Sequence, residues 1–287
     1  QRSGAAIGWL IAGNGMAMVS DVIIKAQAAQ LPVFQFIFLR TLITVLILVP
    51  FCAKLDHGRF WLGFRIHLLR SHVGLVCIAC TVVALGSLPL ATANAIFFSA
   101  PLWVVILAVC CLGERLRLID VLAVISGFIG VLVILRPIGF DASALSAFVV
   151  AVSLALSALL VRWLPRGQGT VHALILTGVL MLPTTLLLAC WENADPQPDV
   201  VIAACGSAVF ILGYNFTVLL AYGSAQASQV TSAEYTGLLW AAAFGWLFFA
   251  EVPDLWLLGG AAMICVPLLA AQILYRTPGR IPSIDPS

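Results

Sequence analysis

Residues 91–113 of this chain pass without one charged side chain, and nine further stretches come close to matching them. They run roughly over 5–26, 33–53, 71–88, 118–135, 142–164, 170–190, 200–222, 228–250 and 255–275. A continuous apolar run of about 20 residues is the length of a bilayer-spanning helix, whereas a barrel strand needs about 10 and alternates in polarity. Lipid offers no partner to a backbone N–H or C=O, so a run of this kind must bond to itself as a helix. Composition agrees: 62% of the 287 residues are hydrophobic and only 9% are charged, against about 25% charged in an average soluble domain. The expected fold is therefore an all-α integral membrane protein with ten transmembrane helices. Turn residues mark the joins at Pro32, Pro89, Pro137, Pro165, Pro196 with Pro198, and Pro253. Several joins are very short, which makes consecutive helices antiparallel. No cleavable signal peptide is expected, because the first apolar run carries Asn14, Asp21 and Lys25.

The chain also repeats itself. Residues 84–114 align without a gap on residues 221–251, at an offset of 137. Ala84, Gly86, Ser87, Trp103 and Glu114 match Ala221, Gly223, Ser224, Trp240 and Glu251. The same offset pairs Ser20 with Ser157 and Lys25 with Arg162. Each copy has a helix break, a long apolar run and a closing glutamate, which divides the chain into a first unit, 1–137, and a second, 138–287, of five helices each. Basic residues then set the orientation. With the N-terminus in the cytoplasm, the inner segments hold Arg2, Lys54, Arg59, Arg65, Arg70, Arg115, Arg117, Arg162, Arg166, Arg276 and Arg280, eleven of the 14 lysines and arginines. Only Arg136 falls in an outer loop, while Lys25 and Arg40 lie within spans. Both termini are expected in the cytoplasm. Five is an odd number, so the second unit enters the membrane from the opposite side. Glu114 then ends span four at the cytoplasmic face, and Glu251 ends span nine at the outer face. Inverted repeats of this kind are the build of secondary transporters, with the substrate site near the midplane between the repeats.

Residues 91–137 also resemble the fourth and fifth spans of the EamA branch of the drug/metabolite transporter superfamily. The shared elements are a small-residue start, Pro101 within the helix, Gly113-Glu114-Arg115 at its end, and Gly127 and Gly130 in the next span. Lys25 at the end of span one and Arg40 within span two match as well. The second unit departs from this pattern, with Leu238 in place of the proline and Val252 in place of the arginine. The resemblance implies ten helices packed as a basket around a central cavity. Within the branch, the chain most resembles bacterial inner-membrane exporters of amino acids, aromatic ones included. The expected function is export of small zwitterionic metabolites, above all amino acids with apolar or aromatic side chains, by alternating access. The alternatives are a carrier for another small metabolite or a cationic drug, or a non-transporting membrane enzyme or sensor.

Polar groups inside spans are costly and mark candidate sites. Asn14, Asp21 and Lys25 share one face of span one. They read either as a stripe lining the cavity or, for Asp21 and Lys25, as interfacial residues, the lysine snorkelling to the surface. Arg40 keeps its charge and needs a partner or water. It reads either as the holder of a substrate carboxylate or as one half of a structural ion pair with Asp21. Glu234 has Phe97 as its repeat mate, so the fold does not demand a charge there. It could bind a proton or an ammonium group, or be a solvated residue near the inner face. Asn94 and Thr231 are repeat mates, and Asn94, Phe98 and Pro101 share one face, as do Thr231, Tyr235 and Leu238. Pro101 kinks its helix and is the candidate gating residue. Trp103 and Trp240, again mates, are candidate cavity aromatics or packing residues.

Enzyme motifs are missing from the sequence: there is no H-E-x-x-H, G-x-S-x-G, P-loop or G-x-G-x-x-G. No enzymatic activity, cofactor, metal or nucleic-acid partner is expected; the partners are a small-molecule substrate and the lipid bilayer, with the oligomeric state open. Eight cysteines scattered through apolar runs, including Cys77 and Cys80, read as packing residues. His57, His67 and His72 read as part of the basic inner loop, and His172 as the start of span seven. The few fixed charges argue against polyanionic substrates, which call for Arg and Lys clusters.

Overall fold

A computed structural model describes residues 2–54, 61–112, 118–135, 141–165, 168–195, 197–224 and 231–276. In chain order the described helices are α1 (Arg2–Gln27), α2 (Val33–Leu48), α3 (Phe64–Ser87), α4 (Leu90–Phe97), α5 (Ala100–Leu112), α6 (Leu118–Leu135), α7 (Ala142–Val161), α8 (Thr170–Glu192), α9 (Pro198–Ser224), α10 (Thr236–Phe249) and α11 (Leu255–Arg276). Short 3-10 turns follow α2 (Val49–Lys54) and precede α10 (Thr231–Tyr235). No strand occurs among the described residues. Gly113, Glu114 and Arg115, several basic residues of the predicted inner segments, and the joins at Pro137 and Pro196 lie outside the described residues.

Local chemistry explains the helix starts. Pro32 and Pro89 stand immediately before α2 and α4 with φ of −65° and −54°, and Pro198 opens α9. Proline is pre-set for a helical φ, and the N–H it lacks has no partner in a first turn anyway. Asp141 caps α7, its carboxylate accepting from the Ala144 N–H at 2.8 Å.

Several spans differ from their predicted outlines, the ninth by opening with the 3-10 turn that precedes α10. Span three starts about two turns early, at Phe64, and takes His67 into the helix along with His72. Partners on or beside α8 make this possible. His67 bonds Thr177 at 3.2 Å and Gln168 at 3.0 Å, and His72 bonds Thr184 at 3.1 Å. Span two passes into a 3-10 turn at Val49, where Pro50 can no longer donate to the α ladder. Span four is cut in two between Phe97 and Ala100.

Seven helical stretches are long and apolar enough to cross a bilayer: Gly4–Gln27, Val33–Phe51, Phe64–Ser87, Leu90–Cys111, Ala142–Val161, Thr170–Glu192 and Pro198–Ala221. Val121–Leu135 and Leu255–Ala270 are shorter apolar helices. Large apolar side chains cover the outside: Trp191 is 79% exposed, Leu118 75% and Leu187 72%. Such a surface suits lipid contact and far exceeds the apolar patches a water-facing monomer carries. The protein is thus a multi-pass membrane protein.

The packing follows a pattern. α1 lies along α9 and α3 along α7; α2 also touches α9, and α3 touches α8. α4 and α5 pack on α7, while α10 and its 3-10 turn pack on α1. α2 meets α8, α6 meets α11, and α4 meets α10. All the extensive contacts join a helix before residue 137 to one after it.

Close approach rests on small residues, which let membrane helices pack backbone to backbone. Gly13 faces Thr217, Gly213 faces Met16, and Ser20 shares a 2.7 Å hydrogen bond with Ser207 across α1 and α9. Where α6 crosses α11, a Cβ on either Gly130 or Gly260 would run into the other's carbonyl oxygen.

Candidate functional site

The break in span four shapes the site. The Phe98 N–H still reaches the Asn94 carbonyl at 2.9 Å, but the Ser99 N–H turns to Ile96 at 3.0 Å. Pro101 has no N–H to give the Phe97 carbonyl. The helix therefore stops and restarts as α5. Opposite lies the 3-10 turn Thr231–Tyr235 that leads into α10. The two interruptions meet: the Phe98 ring stands 6.2 Å from the Tyr235 ring and covers Gly237, where a Cβ would strike it. Phe98 and Tyr235 are repeat mates.

Beside this contact is a cavity of about 370 Å³. Its polar lining comes from Asn14, Ser20 and Asp21 on α1, Arg40 on α2, Cys77 and Thr81 on α3, Asn94 on α4, Tyr214 on α9, and Glu234. Met18, Ile78, Phe97, Phe98 and Pro101 supply much of its apolar wall. Of the residues singled out in the sequence, Asn14, Asp21, Arg40, Asn94, Phe98, Pro101 and Glu234 come together here.

Each polar group has its own surroundings. The Asp21 carboxylate accepts from the Asn94 amide at 3.1 Å, and that amide also donates to Leu90 O at 3.1 Å. Arg40 has Asp21 and Cys77 as its electrostatic neighbours. Among the described residues, however, its guanidinium makes no hydrogen bond and no ion pair of 4 Å or less. The sequence reading that joins Arg40 to Asp21 as a structural pair thus finds them in one cavity but not in contact. The Asn14 amide donates to the carbonyls of Ala233 and Glu234, each at 3.0 Å, and to the Thr236 hydroxyl at 3.1 Å. It ties the start of α10 to the middle of α1. The Glu234 carboxylate lines the cavity and acts electrostatically on the hydroxyls of Tyr214 and Tyr235.

Other candidates lie elsewhere. Trp103 packs edge-on against Phe128 of α6 at 5.0 Å, and its buried indole N–H has no partner among the described residues. Trp240 donates to Ile11 O at 2.9 Å and packs beside Phe244 at 5.2 Å. Among the described residues that line the cavity there is neither tryptophan nor Tyr235, whose ring stands beside that of Phe98. Thr231 opens the 3-10 turn, and its side chain is outside the described part of the chain. Among the described residues no group of His, Cys, Asp and Glu has the makeup of a metal site.

A charged joint lies about one turn beyond Asp21 along α1. Lys25 Nζ lies 3.1 Å from Glu251 Oε1 and donates to Leu88 O at 2.6 Å and Leu85 O at 3.2 Å. The Phe249 ring sits 5.3 Å from the ammonium. Glu251 Oε2 accepts the Leu90 N–H at 2.6 Å. The ammonium thus caps the carbonyl end of α3 and the carboxylate caps the N–H end of α4, each where its charge suits the helix dipole. Glu251 is aimed back by Ala250, which adopts the left-handed conformation (φ 54°) while Glu251 N–H bonds Gly245 O at 3.0 Å. Lys25 does not snorkel, as the sequence alone allows; its side chain is only 12% exposed. Lys25 and Glu251 both stand out in the aligned segments, paired there with Arg162 and Glu114, and the signal missed is that they meet each other instead.

Comparison with known proteins agrees with this build. The model of the EamA-like transporter family matches residues 4–136. The chain is 25% identical to the pseudopaline exporter of Pseudomonas aeruginosa over 260 residues, covering 88% of this chain and 90% of that one. It is 25% identical to an S-adenosylmethionine uptake transporter of Rickettsia felis, covering 90% and 89%. It is 28% identical to a riboflavin transporter of Vibrio cholerae, also covering 90% and 89%. A solved crystal structure shares the fold, with a TM-score of 0.60 at 19% identity over 95% of this chain and 98% of that one. Relatives along nearly the whole length are small-molecule transporters, and residues 4–136 match the EamA-like transporter family, in keeping with the EamA branch of the drug/metabolite transporter superfamily.

Proposed function

We propose that this protein is a secondary carrier that exports small zwitterionic metabolites, amino acids first among them, across a bacterial inner membrane. It has ten spans in two inverted units, 1–137 and 138–287, with both termini in the cytoplasm. The observation that carries the substrate class is Arg40: a permanent cation in a cavity, without a contact partner among the described residues, and with Asp21 nearby. A guanidinium takes a carboxylate through two parallel N–H bonds, which a small zwitterion can offer. Asp21, held by Asn94, is placed to receive the substrate's ammonium.

The packing supports the inverted units. Exchanging each span for the one five places on turns the α1–α9 contact into α7–α3, and α2–α9 into α8–α3. It turns α4–α7 and α5–α7 into the contact of α10 with α1, and leaves α2–α8, α4–α10 and α6–α11 in place. A pseudo-two-fold axis beside Phe98 and Tyr235 accounts for all of these at once. Alternating access then consists of opening one end while the other is held, and Lys25–Glu251 is the fastening at the end where α1 finishes. Export follows the resemblance and the pseudopaline exporter.

The test is counterflow of labelled amino acids into proteoliposomes. Wild-type protein exchanges at least one of them, and Arg40→Gln lowers that exchange by about ten- to a hundredfold, the loss of a charge-assisted bidentate contact. Absence of flux for the whole panel, or full flux in Arg40→Gln, removes this reading.

A further inference from the structure

We infer that Arg70 is an anion station on the way into the cavity: at the end opposite the Lys25–Glu251 joint it draws in the carboxylate of a substrate and hands it on to Arg40. This rests on the carrier reading above and adds a second binding residue to its route.

Helix α3 sets the order of the groups. Lys25 bonds its last carbonyls, Leu85 O and Leu88 O, so the joint lies where α3 finishes. Thr81 and Cys77 line the cavity, and Cys77 is an electrostatic neighbour of Arg40. Counted from Thr81 toward the helix start, steps of four, three and four residues give Cys77, Gly74 and Arg70, all on one face of α3. Arg70 thus stands about 10 Å beyond Cys77 along the axis, and about 22 Å from Leu85. The wall between Cys77 and Arg70 is open: a Cβ on Gly74 would meet nothing within 4 Å. The lipid side of α3 is a different stripe, carried by the exposed side chains of Leu69, Val76 and Val83, and it is turned about 100–140° from Arg70.

The guanidinium itself is left without an answer. Its Nε and Nη1 are buried and have no hydrogen-bond partner, and among the described residues no carboxylate forms an ion pair with it. His67 is an electrostatic neighbour, but both of its ring nitrogens are taken, by Thr177 and Gln168. Arginine keeps its charge in a protein, and a buried donor without an acceptor is rare enough to call for a ligand, an ion or water. A carboxylate offers two acceptors to the planar fork. Sequence alone counts Arg70 among the basic residues of an inner segment. In the structure it lies within α3, on the stripe that leads to the cavity, and that position favours a solute carboxylate over a lipid phosphate.

The experiment uses Gly74→Cys in a chain whose eight native cysteines are replaced by alanine, in proteoliposomes of neutral phosphatidylcholine. Two membrane-impermeant thiol reagents of equal size, one anionic (a sulfonate) and one cationic (a trimethylammonium), are added in turn on the side where α3 begins. Relative to a free thiol, the anionic reagent is expected to react about tenfold faster than the cationic one. Arg70→Gln should bring the two within about threefold, and Arg70→Lys should keep most of the preference. Monodisperse elution on size exclusion shows that each variant is folded. Leucine should slow the anionic reagent, and isoamylamine, which is leucine without its carboxylate, should not. No reaction at the introduced thiol, equal rates for the two reagents, or a preference that survives Arg70→Gln overturns the inference. So does protection by isoamylamine equal to that by leucine. A preference that vanishes when phosphatidylglycerol is added to the vesicles assigns Arg70 to a lipid phosphate and overturns it too. A preference lost in Arg70→Gln but unaffected by leucine, phenylalanine or lysine keeps the anion station and removes the amino-acid reading instead.

Discussion

Glu251→Gln isolates the joint at the end of the cavity. Glutamine keeps the size of the side chain and can still accept the Leu90 N–H, so α4 keeps its cap. What is lost is the negative charge 3.1 Å from Lys25 Nζ. The lysine retains the carbonyls of Leu85 and Leu88, but no anion. The two side chains are 12% and 21% exposed, between a surface pair and a buried one. Exposed pairs contribute about 0–1 kcal/mol and removal of one partner of a buried pair costs about 3–5 kcal/mol, which sets the expected loss near 2 kcal/mol. If the joint is intact only when that end is closed, the closed state loses that amount relative to the open one, roughly a 30-fold shift. Cys77 reports on it, because it lines the cavity beyond the joint. In a variant that retains Cys77 alone, a membrane-impermeant thiol reagent added on the side where α1 ends should label Cys77 about 10- to 30-fold faster once Glu251 is Gln. Lys25→Met should do the same, and the double variant should add little. Labelling at the wild-type rate in both single variants, or additive effects in the double one, would refute the reasoning.

Two further outcomes follow from the backbone and the packing. Ala250→Gly removes the strain of an L-residue at φ 54° and should raise stability in mild detergent by about 0.5–1 kcal/mol, read as a higher unfolding midpoint with transport unchanged. Gly260→Leu puts a side chain against the Gly130 carbonyl and the Ile134 side chain. It should separate α11 from α6 and lower the thermal midpoint by several degrees, with little of the protein recovered as a monodisperse species on size exclusion.

Much of the architecture is legible in the sequence because lipid leaves so few choices. A run such as residues 142–164 can only be a helix, and Pro32, Pro89 and Pro198 punctuate the chain wherever they stand. Pro101 is visible too, but a kink and a full break carry the same signature. The choice between them rests on where Ser99 finds its partner, at Ile96. The candidate site is legible by residue type and not by pairing. Asn14, Arg40, Asn94 and Glu234 announce themselves as polar groups in apolar spans. That Asp21 is held by Asn94 while Lys25 meets Glu251 depends on contacts between residues far apart in the chain, which helical periodicity does not encode. His67 and His72 show the reverse error. Polarity alone puts them in a loop, while hydroxyls on α8 let them lie within a helix. Trp103 and Trp240 are large enough to suit either a cavity or a helix contact, and here both fill contacts.

The cross-packing of the helices has a consequence for how the protein is made. α1 lies against α9, α3 against α7 and α6 against α11. When the ribosome has released the first five spans, none of them has met its main neighbour. The first half therefore enters the membrane as helices without a settled tertiary structure, and α1 waits longest, until α9 is inserted. With the extensive contacts all crossing residue 137, neither side of it is expected to fold alone. Two fragments divided near residue 137 should accumulate poorly when made alone and recover when made together, each acting as the scaffold on which the other takes shape.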